Sequence, residues 1–168
     1  MKIFLIGLPG SGKSTIGKEL AKALNLAFVD LDAEIEAKEG MPVREIFSMK
    51  AEHYYRQVES ASLKEWCAKP ESYLMATGGG APCFFSNMEL INESGISVFL
   101  DTSVREIARR MMKSNLATRP LLASSSLDEV KDRIEFLRSH RMPFYRQAHI
   151  TVSGDEITIP QILEQLKP

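Results

Sequence analysis

Eight residues near the start of the chain, Gly7-Leu8-Pro9-Gly10-Ser11-Gly12-Lys13-Ser14, satisfy the spacing GxxxxGK[ST]. Gly10 and Gly12 allow the backbone to curl so that successive N–H groups, that of Ser11 among them, point at one spot. A helix starting near Lys13 adds positive potential at the same place, so the matching ligand is a polyphosphate. In this motif the lysine, here Lys13, puts its ammonium on the β and γ phosphates of a nucleotide such as ATP, the Ser14 hydroxyl coordinates Mg²⁺, and Thr15 adds one more donor. Binding chemistry alone does not fix a function, because such loops serve switches, motors and kinases alike.

Other polar residues are spaced for a second substrate. Asp30 and Asp32 stand two apart at the end of a predicted strand, so one can face the phosphate loop and the other the adjoining crevice. Asp32 also precedes Ala33-Glu34-Ile35 and fits a helix N-cap, a role compatible with catalysis. Arg56 lies on a predicted helix with Glu59 three positions on, where a carboxylate reaches a guanidinium and holds its fork ready to grip another carboxylate. Gly78-Gly79-Gly80 follows an apolar strand, and three glycines there imply a close approach to the backbone, by a ligand, or else a bare tight turn. Arg119 falls in a segment rich in Ser, Asn, Ala and Thr, from which it can swing over a γ phosphate when the segment closes.

These side chains need a scaffold that brings strand ends together. Ile3 to Ile6 is a continuous apolar run of the kind buried on both faces of a parallel sheet. The pattern predicts further strands at Ala27–Val29, Tyr73–Ala76, Ile96–Leu100 and Ala148–Val152. Helices are predicted over Ser14–Leu24, Ala33–Lys38, Val43–Ser48 and Glu52–Ala68, then from Ser86 as cap to Gly95. Three more follow, over Val104–Met112, Leu127–Ser139 and Ile159–Leu166. Asn25 reads as the stop of the first. Lys113 to Ser126 shows no sustained period and reads as a mobile loop. Alternation of this kind predicts an α/β fold, a doubly wound parallel sheet in three α/β/α layers, as a single domain over residues 1–168.

Composition narrows the partners. The 168 residues carry 21 Lys plus Arg against 22 Asp plus Glu, a formal charge of -1 that leaves no global field for nucleic acid or acidic lipid. The two cysteines, Cys67 and Cys83, form no CxxC pair or metal-ligand cluster. The histidines 53, 140 and 149 are scattered. The apolar run at the N-terminus is too short for a signal core or a membrane span, so a cytoplasmic protein is expected, without nucleic-acid or membrane partners and monomeric. The guanine-reading NKxD element and DxxG switch of regulatory GTPases are missing, and 168 residues are too few for a motor. A small kinase remains.

Taken in order, the phosphate loop, Phe28-Val29-Asp30-Leu31-Asp32, Tyr55-Arg56, Thr77-Gly78-Gly79-Gly80, Arg119-Pro120-Leu121-Leu122 and Arg141-Met142-Pro143-Phe144-Tyr145 resemble the shikimate kinase family, from Ile3 to about Val152. The resemblance implies a P-loop kinase fold with a lid at about 113–126 and an acceptor-binding segment at about 33–60. It also implies transfer of the ATP γ-phosphoryl to the 3-hydroxyl of shikimate. By the same resemblance Asp30 supports Mg²⁺ through water, and Asp32 binds the acceptor and orients or deprotonates its hydroxyl. Arg56 and Arg141 take the acceptor carboxylate, Gly78, Gly79 and Gly80 present N–H groups to it, Arg119 is the lid arginine, and Arg110 packs on adenine. Arg110 also fits a solvated helix face, and Phe47 and Tyr55 fit either pocket walls or core. Tyr55 departs from the phenylalanine common in the family at this place. A gluconate kinase, a nucleoside monophosphate kinase, and a nucleotide-dependent module without turnover are the alternatives to this reading.

Overall fold

The computed structural model describes residues 1–118 and 126–167, with the backbone alone at 115–118. Five parallel strands, β1 (Lys2–Ile6), β2 (Ala27–Asp30), β3 (Tyr73–Ala76), β4 (Ile96–Thr102) and β5 (Ile150–Gly154), form one sheet in the order β2-β3-β1-β4-β5. The central strand shows why both faces are covered. Phe4 and Ile6 enter one buried cluster and Ile3 and Leu5 the other, all at 0% exposure, which is the period-2 geometry of a strand.

Helices α1 (Lys13–Ala23) and α7 (Ile159–Gln165) pack Leu20, Ala21 and Ile162 on the Ile3/Leu5 face. The opposite face receives α2 (Leu31–Glu39), α3 (Val43–Ala68), α4 (Asn87–Ser94), α5 (Val104–Thr118) and α6 (Leu127–Tyr145), through residues such as Ile35, Leu63, Ile91, Ile107 and Tyr145. The doubly wound three-layer sheet expected from the sequence is therefore present. Strand order reverses at β1, so the carboxyl ends of β1, β2 and β3 open on one crevice, the usual ligand position of such sheets.

Most boundaries fall within two residues of expectation, and the larger or more informative departures are these. Helix α5 continues to Thr118, so the first part of the 113–126 segment is helical; Met112 and Leu116 extend its apolar spacing, and the sequence Arg119-Pro120 that follows disfavours helix. Helix α6 runs past Ser139 to Tyr145 with Pro143 inside its last turns. The Tyr145 ring packs on Phe99 with centroids 4.9 Å apart, and this anchorage outweighs the one backbone bond that proline removes. Ser86 precedes α4 in the left-handed region (φ 57) and makes no side-chain cap. The last strand begins at Ile150, two residues later than predicted, and ends at Gly154.

The two predicted helices at Val43–Ser48 and Glu52–Ala68 form one element with a break where the prediction left its gap: Ala51 has φ 68 and ψ 165. That conformation is essentially reserved for glycine and costs a non-glycine residue about 1–3 kcal/mol. Ala51→Gly is expected to raise unfolding stability by about 1 kcal/mol after the greater chain entropy of glycine is subtracted. A urea midpoint below that of the parent protein would contradict the strain.

Candidate active site

The loop after β1 has left-handed glycines at Gly10 (φ 82) and Gly12 (φ 96), and Gly12 leads into α1 without a side-chain cap or an acidic residue in the first turn. The first intrahelical bond is Ile16 N–H to Gly12 C=O at 2.8 Å, so the N–H groups of Lys13, Ser14 and Thr15 point out of the helix toward an anion. Lys13 is 9% exposed, and its Nζ donates to the carbonyls of Gly7 (2.8 Å) and Leu8 (2.9 Å). Burial pulls its pKa down to about 8, against the raising influence of Asp32. The Ser11 hydroxyl is buried with no partner among the described residues.

The two aspartates divide as expected, but because Asp30 ends β2 while Asp32 already lies in the first turn of α2, and the helix cap falls to Asp30 rather than Asp32. Asp30 Oδ1 accepts from Ala33 N–H at 3.2 Å and caps α2, and its Oδ2 accepts from Ser14 Oγ at 3.0 Å. Asp32 sits inside the first turn of α2, facing the cavity, where Tyr55 Oη donates to its Oδ1 at 2.6 Å. Burial raises the pKa of Asp32, with the Tyr55 bond opposing. No group of three or more His, Cys, Asp or Glu side chains among the described residues could hold a metal ion. The Ser14–Asp30 oxygen pair instead fits Mg²⁺, which keeps waters and substrate phosphates as most of its ligands.

Arg56 is 7% exposed, with Nη1 on Glu59 Oε1 at 2.8 Å and Nε 3.4 Å from Glu52 Oε1, and its guanidinium lies 4.4 Å from the Phe84 ring centroid. Glu59 is fully buried, and burial raises its pKa although Arg56 pulls the other way. The holding carboxylate expected for Arg56 is thus in place. Arg141 on α6 and Arg56 both lie against the turn of Gly78, Gly79 and Gly80, and Arg141 Nη1 is buried without a partner among the described residues.

The triple glycine shows what its close approach is. None of the three has a left-handed φ, so conformation does not require them. A Cβ on Gly80 would lie 2.5 Å from Arg56 Nη2, one on Gly79 2.8 Å from Arg141 Nη1, and one on Gly78 2.7 Å from Glu59 Oε2. The space is taken by the site's own charged side chains, which neither expectation from the sequence, a ligand or a bare tight turn, names. Tyr145 completes the turn by donating to Gly79 C=O at 2.6 Å, a contact that no local sequence pattern could have indicated.

Two cavities meet at the loop. One of about 310 Å³ is lined by Lys13, Ser14, Asp30, Asp32, Thr77, Gly78 and Gly79, and one of about 860 Å³ by Gly10, Gly12, Thr15, Ile16, Arg110, Met111, Ile157 and Thr158. Arg110 is no freely solvated residue: it donates to Gly10 C=O at 3.1 Å and Asp155 C=O at 3.3 Å and pairs with Glu106. Ile16, Met111 and Ile157 also line the larger cavity and carry no polar signal in the sequence; helical spacing of four from Thr15 and Arg110 points instead to Glu19 and Ser114, which line it too. Arg119 lies outside the described residues. Phe47 and Tyr55 stack with centroids 4.6 Å apart. His149 Nδ1 is engaged with Ser97, away from the site.

Comparison with known proteins finds relatives along nearly the whole chain. A family model described as shikimate kinase matches residues 9–167. The shikimate kinase of Parabacteroides distasonis is 43% identical over 156 residues, covering 93% of this chain and 89% of the relative. Among solved structures, the shikimate kinase from Bacteroides thetaiotaomicron superimposes with a TM-score of 0.88 at 36% identity, covering 99% of this chain and 98% of the other. A shikimate kinase from Acinetobacter baumannii in complex with shikimate superimposes with a TM-score of 0.83 at 32% identity, over 98% and 89% of the two chains.

Proposed function

The chain belongs to the shikimate kinase family, and from that premise we propose how its residues divide the work. The reaction is transfer of the γ-phosphoryl of ATP to the 3-hydroxyl of shikimate, giving shikimate 3-phosphate and ADP, a step toward chorismate and the aromatic amino acids. The observation that carries the acceptor assignment is Arg141 Nη1, a buried cationic donor with no partner among the described residues, beside the Glu59-held fork of Arg56. An unpaired buried donor is costly, and an acceptor carboxylate relieves the cost.

ATP lays its phosphates along Gly10, Ser11, Gly12, Lys13, Ser14 and Thr15, where the uncapped start of α1 and the Lys13 ammonium stabilise their charge. Its base occupies the larger cavity beside Arg110. Ser14, and Asp30 through water, hold Mg²⁺, which neutralises charge building on the transferred phosphoryl when bound. Arg56 and Arg141 orient the ring by its carboxylate over the turn of Gly78, Gly79 and Gly80. Asp32 takes the proton of the attacking hydroxyl. Arg119, at the centre of a lid near 113–126, adds charge stabilisation, and residues 33–60 form the acceptor-binding segment of a single kinase domain. The protein works as a cytoplasmic monomer; among the described residues, no helix is long and apolar enough to cross a membrane.

The test is ADP release with ATP and Mg²⁺ against shikimate, gluconate and a panel of nucleoside monophosphates. Turnover with shikimate alone is expected. Silence with shikimate beside turnover on another acceptor would overturn the acceptor assignment and leave the kinase standing.

A further inference from the structure

We propose that Tyr55 is a positioning residue for phosphoryl transfer, its hydroxyl holding the Asp32 carboxylate in the orientation that receives the acceptor's proton. The proposal rests on the reading of Asp32 as that proton acceptor. Tyr55 is 3% exposed and its ring is fixed against Phe47, yet its Oη sits 2.6 Å from Asp32 Oδ1, across 23 residues of sequence and two different helices. A hydroxyl bond this short to a carboxylate is the charge-assisted kind.

The neighbourhood explains why a holding bond is needed. Asp30 spends one oxygen on Ser14 and the other on the α2 cap. Asp32 has the Lys13 charge within electrostatic reach, and an aspartate free to rotate would turn toward that ammonium as a simple ion pair. The Tyr55 bond opposes that turn by committing Oδ1, which leaves Oδ2 to meet the incoming hydroxyl. The donor is permanent, because burial and the nearby Glu59 and Asp32 carboxylates push the phenol well above its ordinary ionisation range. Ring packing alone would be served equally by phenylalanine, so the hydroxyl is the part that the proposal addresses.

The experiment is Tyr55→Phe, assayed with both substrates varied and accompanied by thermal unfolding. The variant keeps the ring and so keeps the fold. Loss of one charge-assisted bond is expected to lower kcat roughly tenfold, with KM for shikimate and for ATP held within about twofold. An unchanged kcat, with only KM or the melting temperature lowered, would overturn the proposal and make the hydroxyl structural. A second readout uses the Asp32→Asn background: if Tyr55 acts through the proton-accepting carboxylate, Tyr55→Phe adds no further loss there, whereas multiplied losses overturn the proposal. Full turnover in Asp32→Asn alone would defeat the proton-acceptor reading itself, an outcome distinct from a silent Tyr55→Phe in an enzyme that still needs Asp32.

Discussion

Asp32→Asn is expected to lower kcat by about 10³-fold, within the range that a positioned acid or base contributes, while ATP affinity stays at the parent value. The substitution is well suited to the question because asparagine preserves size and keeps a carbonyl oxygen for the Tyr55 hydroxyl, which now meets Asp32 Oδ1 at 2.6 Å. What disappears is the negative charge and the ability to take a proton. The phosphate loop does not depend on that charge for its shape: Lys13 is held by the Gly7 and Leu8 carbonyls, and Ser14 faces Asp30. Nucleotide binding, measured by calorimetry without acceptor, therefore separates from turnover, measured as ADP release with shikimate. Parent-level turnover would remove Asp32 from the chemistry and leave it as an acceptor-binding group only.

Arg56→Ala is expected to abolish acceptor binding and to cost about 3–5 kcal/mol of stability, the penalty of leaving one member of a buried ion pair alone. The abandoned member is Glu59, at 0% exposure, whose Oε1 loses its 2.8 Å partner and whose Oε2 already lacks one among the described residues. The sign of the pH dependence follows from the direction of the Glu59 shift. Burial is its largest cause and raises the pKa, and Arg56 is the main influence lowering it, so removing Arg56 raises it further. A carboxyl with a raised folded pKa binds protons more tightly in the folded state. The variant is therefore least destabilised in acid and loses stability as pH rises from the unfolded carboxyl value through the folded one. Urea unfolding across that window, with the Arg56→Ala/Glu59→Gln double variant recovering stability but not shikimate binding, checks both halves. A loss in Arg56→Ala that is flat with pH would show that Glu59 is not left charged and buried.

Much of the site is legible in the amino-acid sequence. The phosphate loop is, because its chemistry resides in backbone angles that only glycine at Gly10 and Gly12 supplies, followed by a helix that starts at Lys13. The strands are, because burial on both faces leaves continuous apolar runs such as Ile3 to Ile6. The break at Ala51 surfaces as a gap between two helical patterns. The shared importance of Arg56 and Glu59 follows from their spacing of three on one helix. The family resemblance adds the ordering of motifs to these local signals.

Sequence alone, then, determined the elements and the residue types able to do the chemistry, because glycine conformations, helical spacing and strand alternation are set by sterics within a few residues. Tertiary structure decided the assignments. It made Asp30 the helix cap and Asp32 the partner of Tyr55, filled the space over Gly78-Gly79-Gly80 with Glu59, Arg141 and Arg56, and tied Tyr145 to Gly79 across 66 residues. These pairings join residues far apart in the chain. They exist only once the order β2-β3-β1-β4-β5 has brought the strand ends to one edge, and no periodicity within a segment carries information about which distant side chain will meet it there.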